Sequence, residues 1–300
     1  MKTRVIVSAI LLPIFFAVLF VFPPYILTAV VSLIAAIAAH ELMKATKSDK
    51  SKTTLIFTII AAAIVPASIY FHALYYTPIY YYDYPQISTY YNFQYPFINS
   101  LVPILIIFFI LMCLLLIEFF LKFKTEKQVK IRQILISLAA GILIPYMLSA
   151  LISLKTQPYG HLLVLLPIVS AFLTDSGAYF TGKAIGKRQA FPKISPNKTV
   201  EGCIGGLVIG TAAMLLYGVI LANATGLTIT YPLLLVYGII GAIMTQLGDL
   251  TFSLIKRKCD IKDYGRLIPG HGGALDRFDS MTLAAPTMYL LVTLLPAIIV

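Results

Sequence analysis

Long apolar stretches separated by short polar segments dominate the hydrophobic pattern of this chain. A transmembrane helix needs about 20 mainly apolar residues to cross the hydrocarbon core of a bilayer. Nine stretches have the required length: 5–22, 25–43, 53–75, 98–121, 131–152, 162–182, 202–222, 231–255 and 281–300. Pro23 and Pro24 follow the first stretch where a signal peptide would end in small residues, so we interpret it as a helix. The pattern therefore predicts an all-α polytopic membrane protein with about nine transmembrane helices.

The lysines and arginines give this count an independent test, because cytoplasmic loops of membrane proteins carry an excess of them. With the N-terminus in the cytosol, 22 of the 23 basic residues fall in cytosolic segments and only Lys155 falls outside. A missed or additional helix would reverse the side of every later loop and destroy this asymmetry. We therefore expect the N-terminus on the cytosolic side and the C-terminus outside.

The composition excludes other classes of protein. Hydrophobic residues make up 59% of the chain, charged residues only 12%, and the mean hydropathy is +0.90. Soluble domains carry roughly 25% charged residues, and disordered chains have far fewer apolar ones. The three cysteines cannot all pair and lack metal-ligand spacing, which argues against a disulfide framework and a zinc site.

The chain divides into two unequal halves in the distribution of its polar residues. Residues 1–152 form five predicted membrane helices with a tyrosine-rich outer loop at 72–99, which fits an interfacial belt, a lid or an outer ligand site. Residues 153–300 form four predicted helices with cytosolic loops at 183–201 and 256–280. Because seven of the twelve acids and most glycines lie between 170 and 280, we expect the function there.

Two acids lie inside predicted membrane helices, where a charge is costly unless it faces a cavity or a partner. Asp175 and Asp249 lie at similar depths, about 10 Å from the cytosolic helix ends at 1.5 Å per residue, so they could line one pocket. Gln246, Asp249, Ser253 and Lys256 share one helix face because they are three or four residues apart. The alternative is that this polar stripe only joins helices, with Asp249 paired to a lysine.

The cytosolic loop at 256–280 combines three kinds of group. Its glycines let backbone N–H groups approach an anion, and its lysines and arginines can bind phosphate oxygens. Asp276 and Asp279 start the last helix and, with Asp249, offer hard oxygen ligands suited to Mg²⁺. The loop at 183–201 adds hydroxyl, amide and lysine groups just before a helix N-terminus, where anions bind well. This combination favours phosphoryl chemistry on a nucleotide. At His40 and Glu41, by contrast, we expect a position at the membrane interface rather than a catalytic role.

The residues from Ser253 to Asp279 follow a long pattern: Ser-x-x-Lys-Arg, then Lys-Asp, then His-Gly-Gly-x-x-Asp-Arg-x-Asp. The pattern resembles the signature of the phosphatidate cytidylyltransferases, also called CDP-diacylglycerol synthases, and every signature position is filled. The segments 175–179 and 195–202 resemble the same family, so the resemblance covers about 170–280. The first 150 residues resemble it only in being several membrane helices.

The resemblance implies transfer of a cytidylyl group from CTP to phosphatidic acid, giving CDP-diacylglycerol and pyrophosphate. It implies a Mg²⁺-dependent site at the cytosolic side of a multi-pass protein in the bacterial inner membrane, in some members a monovalent cation such as K⁺, and a homodimer. No nucleic acid is expected among the partners. The expected catalytic residues are Asp249, Asp276, Asp279, Lys256 and Ser253. The expected metal ligands are Asp249, Asp276 and Asp279, with Asp175 as a further candidate. The expected substrate-binding residues are Lys198, Asn197, Ser195, Lys262, Asp263, His271, Gly272, Gly273 and Arg277.

Two other functions stay open at this point. A CTP-dependent enzyme could act on another lipid phosphate or alcohol, as in the archaeal ether-lipid relative. A cation-coupled transporter could use Asp175 and Asp249 as its ion site, but it predicts acids near the bilayer midplane and broken helices in both halves. A catalytically inactive scaffold would lack signature acids, and none is missing.

Overall fold

A computed structural model describes residues 13–83, 95–122, 129–265 and 272–299, without the side chains of 75–83, 95–101 and 299. The chain is mainly helical. Residues 13–20 are helical, and the longer helices are α1 (Pro24–Ala45), α2 (Lys52–Asp83), α3 (Tyr95–Leu121), α5 (Leu165–Ile185), α6 (Val200–Thr225), α7 (Tyr231–Lys258) and α8 (Leu275–Leu294). Between α3 and α5 lies α4, an interrupted helix with the segments Ile131–Leu138, Ala139–Leu143, Ile144–Leu148 and Ala150–Lys155. A single short turn of helix, Gly160–Leu163, precedes α5.

Seven of the nine predicted spans fall on helices that are long and apolar enough to cross a membrane. These are Pro24–Ala45, Lys52–Leu74, Val102–Leu121, Ile131–Lys155, Gly160–Ile185, Val200–Thr225 and Tyr231–Lys258. Large apolar side chains such as Phe109, Phe120 and Phe180 are exposed on these helices, as expected for lipid-facing positions. The polytopic helical class is therefore supported, while the orientation of the termini stays a prediction.

The two remaining predicted spans differ from the seven. The stretch 5–22 lies partly outside the described residues. The stretch 281–300 falls on α8, which begins earlier, at Leu275, and ends at Leu294. Three charged residues in the first turns of α8 make it less apolar than the others, because the helix starts inside the polar signature. In the outer loop predicted at 72–99, α2 continues to Asp83 and α3 begins at Tyr95, and residues 84–94 lie outside the described residues.

Two short antiparallel strand pairs interrupt the helical pattern, and the sequence analysis does not predict them. Strands β1 (Gln189–Phe191) and β2 (Ser195–Thr199) form a hairpin in the loop predicted at 183–201. Strands β3 (Thr228–Ile229) and β4 (Ile298–Ile299) form the second pair. In each pair, backbone N–H and C=O groups near a helix end form hydrogen bonds with the neighbouring strand.

The helices form two compact units. The first contains the described residues up to Gly160 together with those of Asp263–Arg277, and the second contains His161–Lys262 and the described residues from Phe278 onward. In the first unit, α2, α3 and α4 enclose an apolar core that includes Val65, Leu115 and Val129, all 1% exposed or less.

One buried acid of the first unit has a local structural role. Glu118 on α3 is 5% exposed and forms an ion pair with Lys122 at the end of the helix, at 2.5 Å. Its carboxylate also accepts hydrogen bonds from Ser51 and, at 2.6 Å, from Thr54 on α2. A buried carboxylate needs such donors, since its desolvation is otherwise unfavourable by several kcal/mol. Glu118 therefore fixes α2 against α3.

In the second unit, α5 and α6 pack closely because glycines remove side chains from their contact. A Cβ atom on Gly206 of α6 would lie 2.8 Å from the carbonyl oxygen of Thr174 on α5. A Cβ atom on Gly202 would lie equally close to the carbonyl oxygen of Ala178. Small residues permit this approach between membrane helices, where van der Waals packing drives association. The close contact brings the start of α6, and the hairpin before it, beside α5.

Candidate active site

Three acids of the second unit come together from three different helices. Asp175 lies on α5, Asp249 on α7 and Asp279 near the start of α8. Each carboxylate lies within electrostatic range of the other two. Sequence reasoning expected Asp175 and Asp249 to lie near one another because of their depth, and the structure brings Asp279 to the same place.

A glycine contact sets the distance between α7 and α8 at this point. A Cβ atom on Gly248 would lie 2.7 Å from the carbonyl oxygen of Asp279 and 3.1 Å from the Cα atom of Ser280. Any side chain at Gly248 would therefore push the two helices apart. Because Asp249 is the next residue along α7, this contact holds its backbone close to that of Asp279.

Hydrogen bonds orient the three carboxylates. The Ser280 hydroxyl donates to Oδ2 of Asp175 at 2.9 Å, and the Ser253 hydroxyl donates to Oδ1 of Asp249 at 3.1 Å. The backbone N–H of Ser280 donates to Oδ1 of Asp279 at 2.8 Å. Both serines are 9% exposed or less, so these bonds are formed away from bulk solvent. The arrangement gives each acid a defined orientation before any substrate binds.

Lys198 reaches this group from the hairpin, and its Nζ forms an ion pair with Oδ2 of Asp249. Two contacts hold the hairpin in place. Thr199 caps α6 by accepting a hydrogen bond from the Gly202 N–H at 3.1 Å, and Nε of Arg257 donates to the Ile194 carbonyl at 3.1 Å. The Lys198 side chain is 22% exposed, so water and a ligand can still reach it.

The polar stripe predicted on α7 divides between two roles. Gln246 donates to the Cys203 carbonyl on α6 at 3.1 Å, which is the helix-joining role that the alternative interpretation gives to the whole stripe. Asp249 and Ser253 contact each other, and Lys256 lies within electrostatic range of Asp279. The pairing of Asp249 with a lysine from a neighbouring element also agrees with that alternative. Only the part of the stripe near the C-terminal end of α7 belongs to the acidic group.

The charges of this group do not balance. Three carboxylates, those of Asp175, Asp249 and Asp279, face the two lysines Lys198 and Lys256. Carboxylate and hydroxyl oxygens are the ligands preferred by hard divalent cations, and an extra positive charge would relieve the repulsion between the acids. In the part of the chain that the structure describes, no three His, Cys, Asp or Glu side chains already form a metal-binding cluster. The donor chemistry therefore fits a divalent cation, and the sequence prediction of metal ligands stays a prediction.

The remaining predicted residues occupy several positions. Asp276 belongs to the first unit, where its Oδ2 accepts hydrogen bonds from the N–H groups of Tyr264, at 2.8 Å, and Gly273, at 3.0 Å. Gly272 lies beside it in a left-handed conformation with φ of 88°. His271 lies outside the described residues. The exposed side chains are those of Lys262, Asp263, Arg277 and Asn197, while Ser195 is half-buried on β2.

The Ser280–Asp175 hydrogen bond predicts a stability effect. In Ser280→Ala, the Asp175 carboxylate loses its hydroxyl donor, and an unsatisfied polar group of this kind costs about 1–3 kcal/mol. We expect the thermal unfolding temperature, followed by circular dichroism in detergent, to fall by several degrees. The matched control is Thr287→Ala on the same helix, whose hydroxyl bonds only the Leu283 carbonyl one turn earlier. Equal unfolding temperatures for the two variants would contradict the role given to Ser280.

Comparisons with known proteins agree with the signature pattern. A family model described as "Cytidylyltransferase family" matches residues 2–295. The chain is 46% identical over 136 residues to a phosphatidate cytidylyltransferase of Bacillus subtilis (strain 168), covering 45% of this chain and 49% of that protein. It is 37% identical over 154 residues to the phosphatidate cytidylyltransferase of Haemophilus influenzae, covering 49% of this chain and 53% of that protein. The one from Brucella suis biovar 1 is 40% identical over 134 residues, covering 45% of this chain and 48% of that protein. The matches therefore span about half the length of these curated relatives.

Proposed function

Because this chain belongs to the cytidylyltransferase family, we propose that it transfers a cytidylyl group from CTP to phosphatidic acid, forming CDP-diacylglycerol and pyrophosphate for phospholipid synthesis. The observation that carries the proposal is the group of three acids and two lysines described above: Asp175, Asp249, Asp279, Lys198 and Lys256. The names of the similar bacterial proteins support the choice of substrates.

The reaction joins two anions. An oxygen of the phosphatidic acid phosphate attacks the α-phosphorus of CTP, and the bond between the α-phosphorus and its bridging oxygen to the β-phosphate breaks. The attacking phosphate is already ionised at neutral pH, so the chain needs no strong general base. The main obstacle is repulsion between the two phosphate groups. Positioned cationic groups reduce this barrier, and phosphoryl-transfer enzymes generally rely on positioning and electrostatic stabilisation.

We assign the neutralising role to lysines. Lys198 and Lys256 would contact phosphate oxygens, with Asp249 and Ser253 setting the position of Lys198. Further substrate contacts would come from Ser195, Asn197, Lys262, Asp263, His271, Gly272, Gly273 and Arg277. Such a set can bind the nucleotide and the lipid phosphate at once, as a two-substrate transfer requires.

A divalent cation belongs to the proposal, with Mg²⁺ as the candidate. The ligands predicted from the sequence are Asp249, Asp276 and Asp279, with Asp175 as a further candidate. When bound, the cation would neutralise phosphate oxygens and stabilise the leaving pyrophosphate. The excess of carboxylates over lysines supports this part of the proposal. A monovalent cation such as K⁺ and a homodimeric state stay expectations from the resemblance to the family.

The proposed site opens to the cytoplasm from the inner membrane of a bacterium. The charge asymmetry of the loops supports this orientation, because the hairpin carries two lysines and α7 ends in Lys256, Arg257 and Lys258. A cysteine introduced at the exposed Gln189, in a variant with the three native cysteines replaced by serine, tests it. We expect a membrane-impermeant maleimide to label Gln189→Cys in inverted vesicles and not in intact cells. Labelling in intact cells would reverse the orientation.

Product identification tests the proposed reaction. Purified full-length protein in detergent would be incubated with CTP and phosphatidic acid, and the lipid products would be identified by mass spectrometry. We expect CDP-diacylglycerol, with little product when ATP or GTP replaces CTP. A cytidylylated product only with an archaeal-type ether lipid phosphate would identify the other lipid acceptor. Absence of any cytidylylated lipid in folded protein would contradict the proposal.

A further inference from the structure

A second buried acid of the first unit has contacts that its sequence position does not suggest. Glu41 lies in the last turns of α1, where the sequence pattern favours an interfacial position, yet it is only 5% exposed. Its Oε1 accepts a hydrogen bond from the N–H of Ala274 at 3.1 Å, and its Oε2 accepts one from the N–H of Leu275 at 2.9 Å. Leu275 is the first residue of α8, and Ala274 directly precedes it. Glu41 therefore caps a helix from a distant part of the chain.

The contact is physically favourable for both partners. The first N–H groups of a helix have no partner within the helix, and the N-terminus carries a partial positive charge. A carboxylate at this position satisfies two of those donors and places a negative charge where the helix dipole favours it. In return, the buried Glu41 gains the hydrogen bonds that a desolvated carboxylate requires.

Two glycines make room for the Glu41 carboxylate. A Cβ atom on Gly273 would lie 2.5 Å from both of its oxygens, and a Cβ atom on Gly265 would overlap Oε1. Gly265 ends the described segment before the stretch 266–271, and Gly272 begins the segment after it. The Asp276 carboxylate joins the same two segments through the N–H groups of Tyr264 and Gly273. Two carboxylates, those of Glu41 and Asp276, thus hold the described backbone on both sides of the stretch 266–271.

We propose that Glu41 is a positioning residue for cytidylyl transfer, which fixes the segments 263–265 and 272–275 and thereby the direction of the Asp276 and Arg277 side chains. This inference rests on the proposed function, in which Asp276 is an expected metal ligand and Arg277 an expected substrate-binding residue. Glu41 itself contacts backbone amides, so its role is to place groups that bind the CTP phosphates. Small displacements of positioning groups, about 1 Å, can lower rates about 100-fold.

The test compares Glu41→Gln with Glu118→Gln in the full-length protein. Both acids are 5% exposed and both accept hydrogen bonds within the first unit, but the donors to Glu118 are Ser51, Thr54 and Lys122, far along the chain from residues 263–277. A glutamine can offer one acceptor oxygen where two N–H donors need two. For Glu41→Gln we expect KM for CTP to rise about tenfold and kcat to fall about tenfold. For Glu118→Gln we expect both constants to stay within about twofold of wild type at 25 °C, although its unfolding temperature falls.

Amide hydrogen exchange supplies a readout that does not depend on activity. In Glu41→Gln, peptides covering 272–277 should exchange at least about tenfold faster than in wild type, and in Glu118→Gln they should not. Unchanged exchange in Glu41→Gln would show that Glu41 does not cap the N-terminus of α8. Faster exchange with an unchanged KM for CTP would overturn the positioning role. If wild-type protein makes no cytidylylated lipid, the proposed function fails. Amide hydrogen exchange then still decides whether Glu41 fixes residues 272–275.

A second variant approaches the same contact from the other side. Gly265→Ala places a methyl group against the Glu41 carboxylate and changes none of the residues expected to bind substrate or metal. We expect it to raise KM for CTP as Glu41→Gln does. Because both changes disturb one contact, the double variant should lose less than the product of the two single effects. Multiplicative effects would contradict a shared contact.

Discussion

We expect the replacement of Asp249 by asparagine to lower the rate of the proposed cytidylyl transfer at least about 1000-fold. Asp249 is paired with Lys198, accepts the Ser253 hydrogen bond and lies within electrostatic range of both other acids of the group. Asparagine keeps the volume and one acceptor oxygen but removes the charge. Loss of one preorganised electrostatic group already costs about 100- to 1000-fold in other enzymes, and Asp249 combines this role with that of a proposed metal ligand. The measurement is the initial rate of CDP-diacylglycerol formation.

The control for this variant is Asp260→Asn, the same chemical change at the end of α7. Asp260 is exposed and has a φ of 56°, which asparagine tolerates as well as aspartate does. We expect wild-type activity from Asp260→Asn and an unchanged circular dichroism spectrum from both variants. An Asp249→Asn rate within tenfold of wild type, in folded protein, would remove Asp249 from the reaction.

Replacing Lys198 by methionine has the second-largest expected effect, a fall in kcat/KM of about 100- to 1000-fold. The methionine keeps much of the side-chain length but leaves the Asp249 carboxylate without its ion pair. It also removes one of two positive charges that face three carboxylates, where the proposed substrates would bring more negative charge. Cationic groups that stabilise phosphoryl transfer contribute effects of at least this size in other enzymes. Steady-state kinetics with varied CTP measure the effect.

The hairpin supplies a matched control. Lys193 lies between β1 and β2 and is exposed, so Lys193→Met removes a positive charge from the same segment and leaves the Lys198–Asp249 ion pair in place. We expect activity within about twofold of wild type for Lys193→Met. Equal losses in the two methionine variants would show that only the net charge of the loop matters, which would contradict a specific role for Lys198.

Much of the fold could be predicted because lipid imposes a simple constraint. Each spanning helix must be long and apolar, so seven of the nine predicted stretches fall on candidate membrane-spanning helices. The hydrophobic pattern was less informative where a helix carries polar residues of the predicted site. The last helix begins at Leu275 inside the charged signature, so its apolar part alone predicts a start near 281 and an end at 300 instead of Leu294. The hairpin was not predicted because its strands are only three and five residues long.

The site could be predicted in part. Equal depth on two helices was enough to expect Asp175 near Asp249, and the spacing of Asp249 and Ser253 was enough to expect one helix face. The partner of Asp249 could not be read from spacing, because Lys198 comes from a strand that the pattern does not reveal. Glu41 was missed for a similar reason. Its backbone partners lie 233 and 234 residues away along the chain, and a single glutamate at a helix end gives no sign of them.

Pyrophosphate release by the purified full-length protein tests the central claim most directly. The reaction would contain CTP, phosphatidic acid and Mg²⁺, with parallel reactions that lack the lipid or contain EDTA. We predict rapid pyrophosphate release only in the complete reaction, with one pyrophosphate formed for each CDP-diacylglycerol. Release that continues without the lipid, or no release from folded protein in the complete reaction, would contradict it.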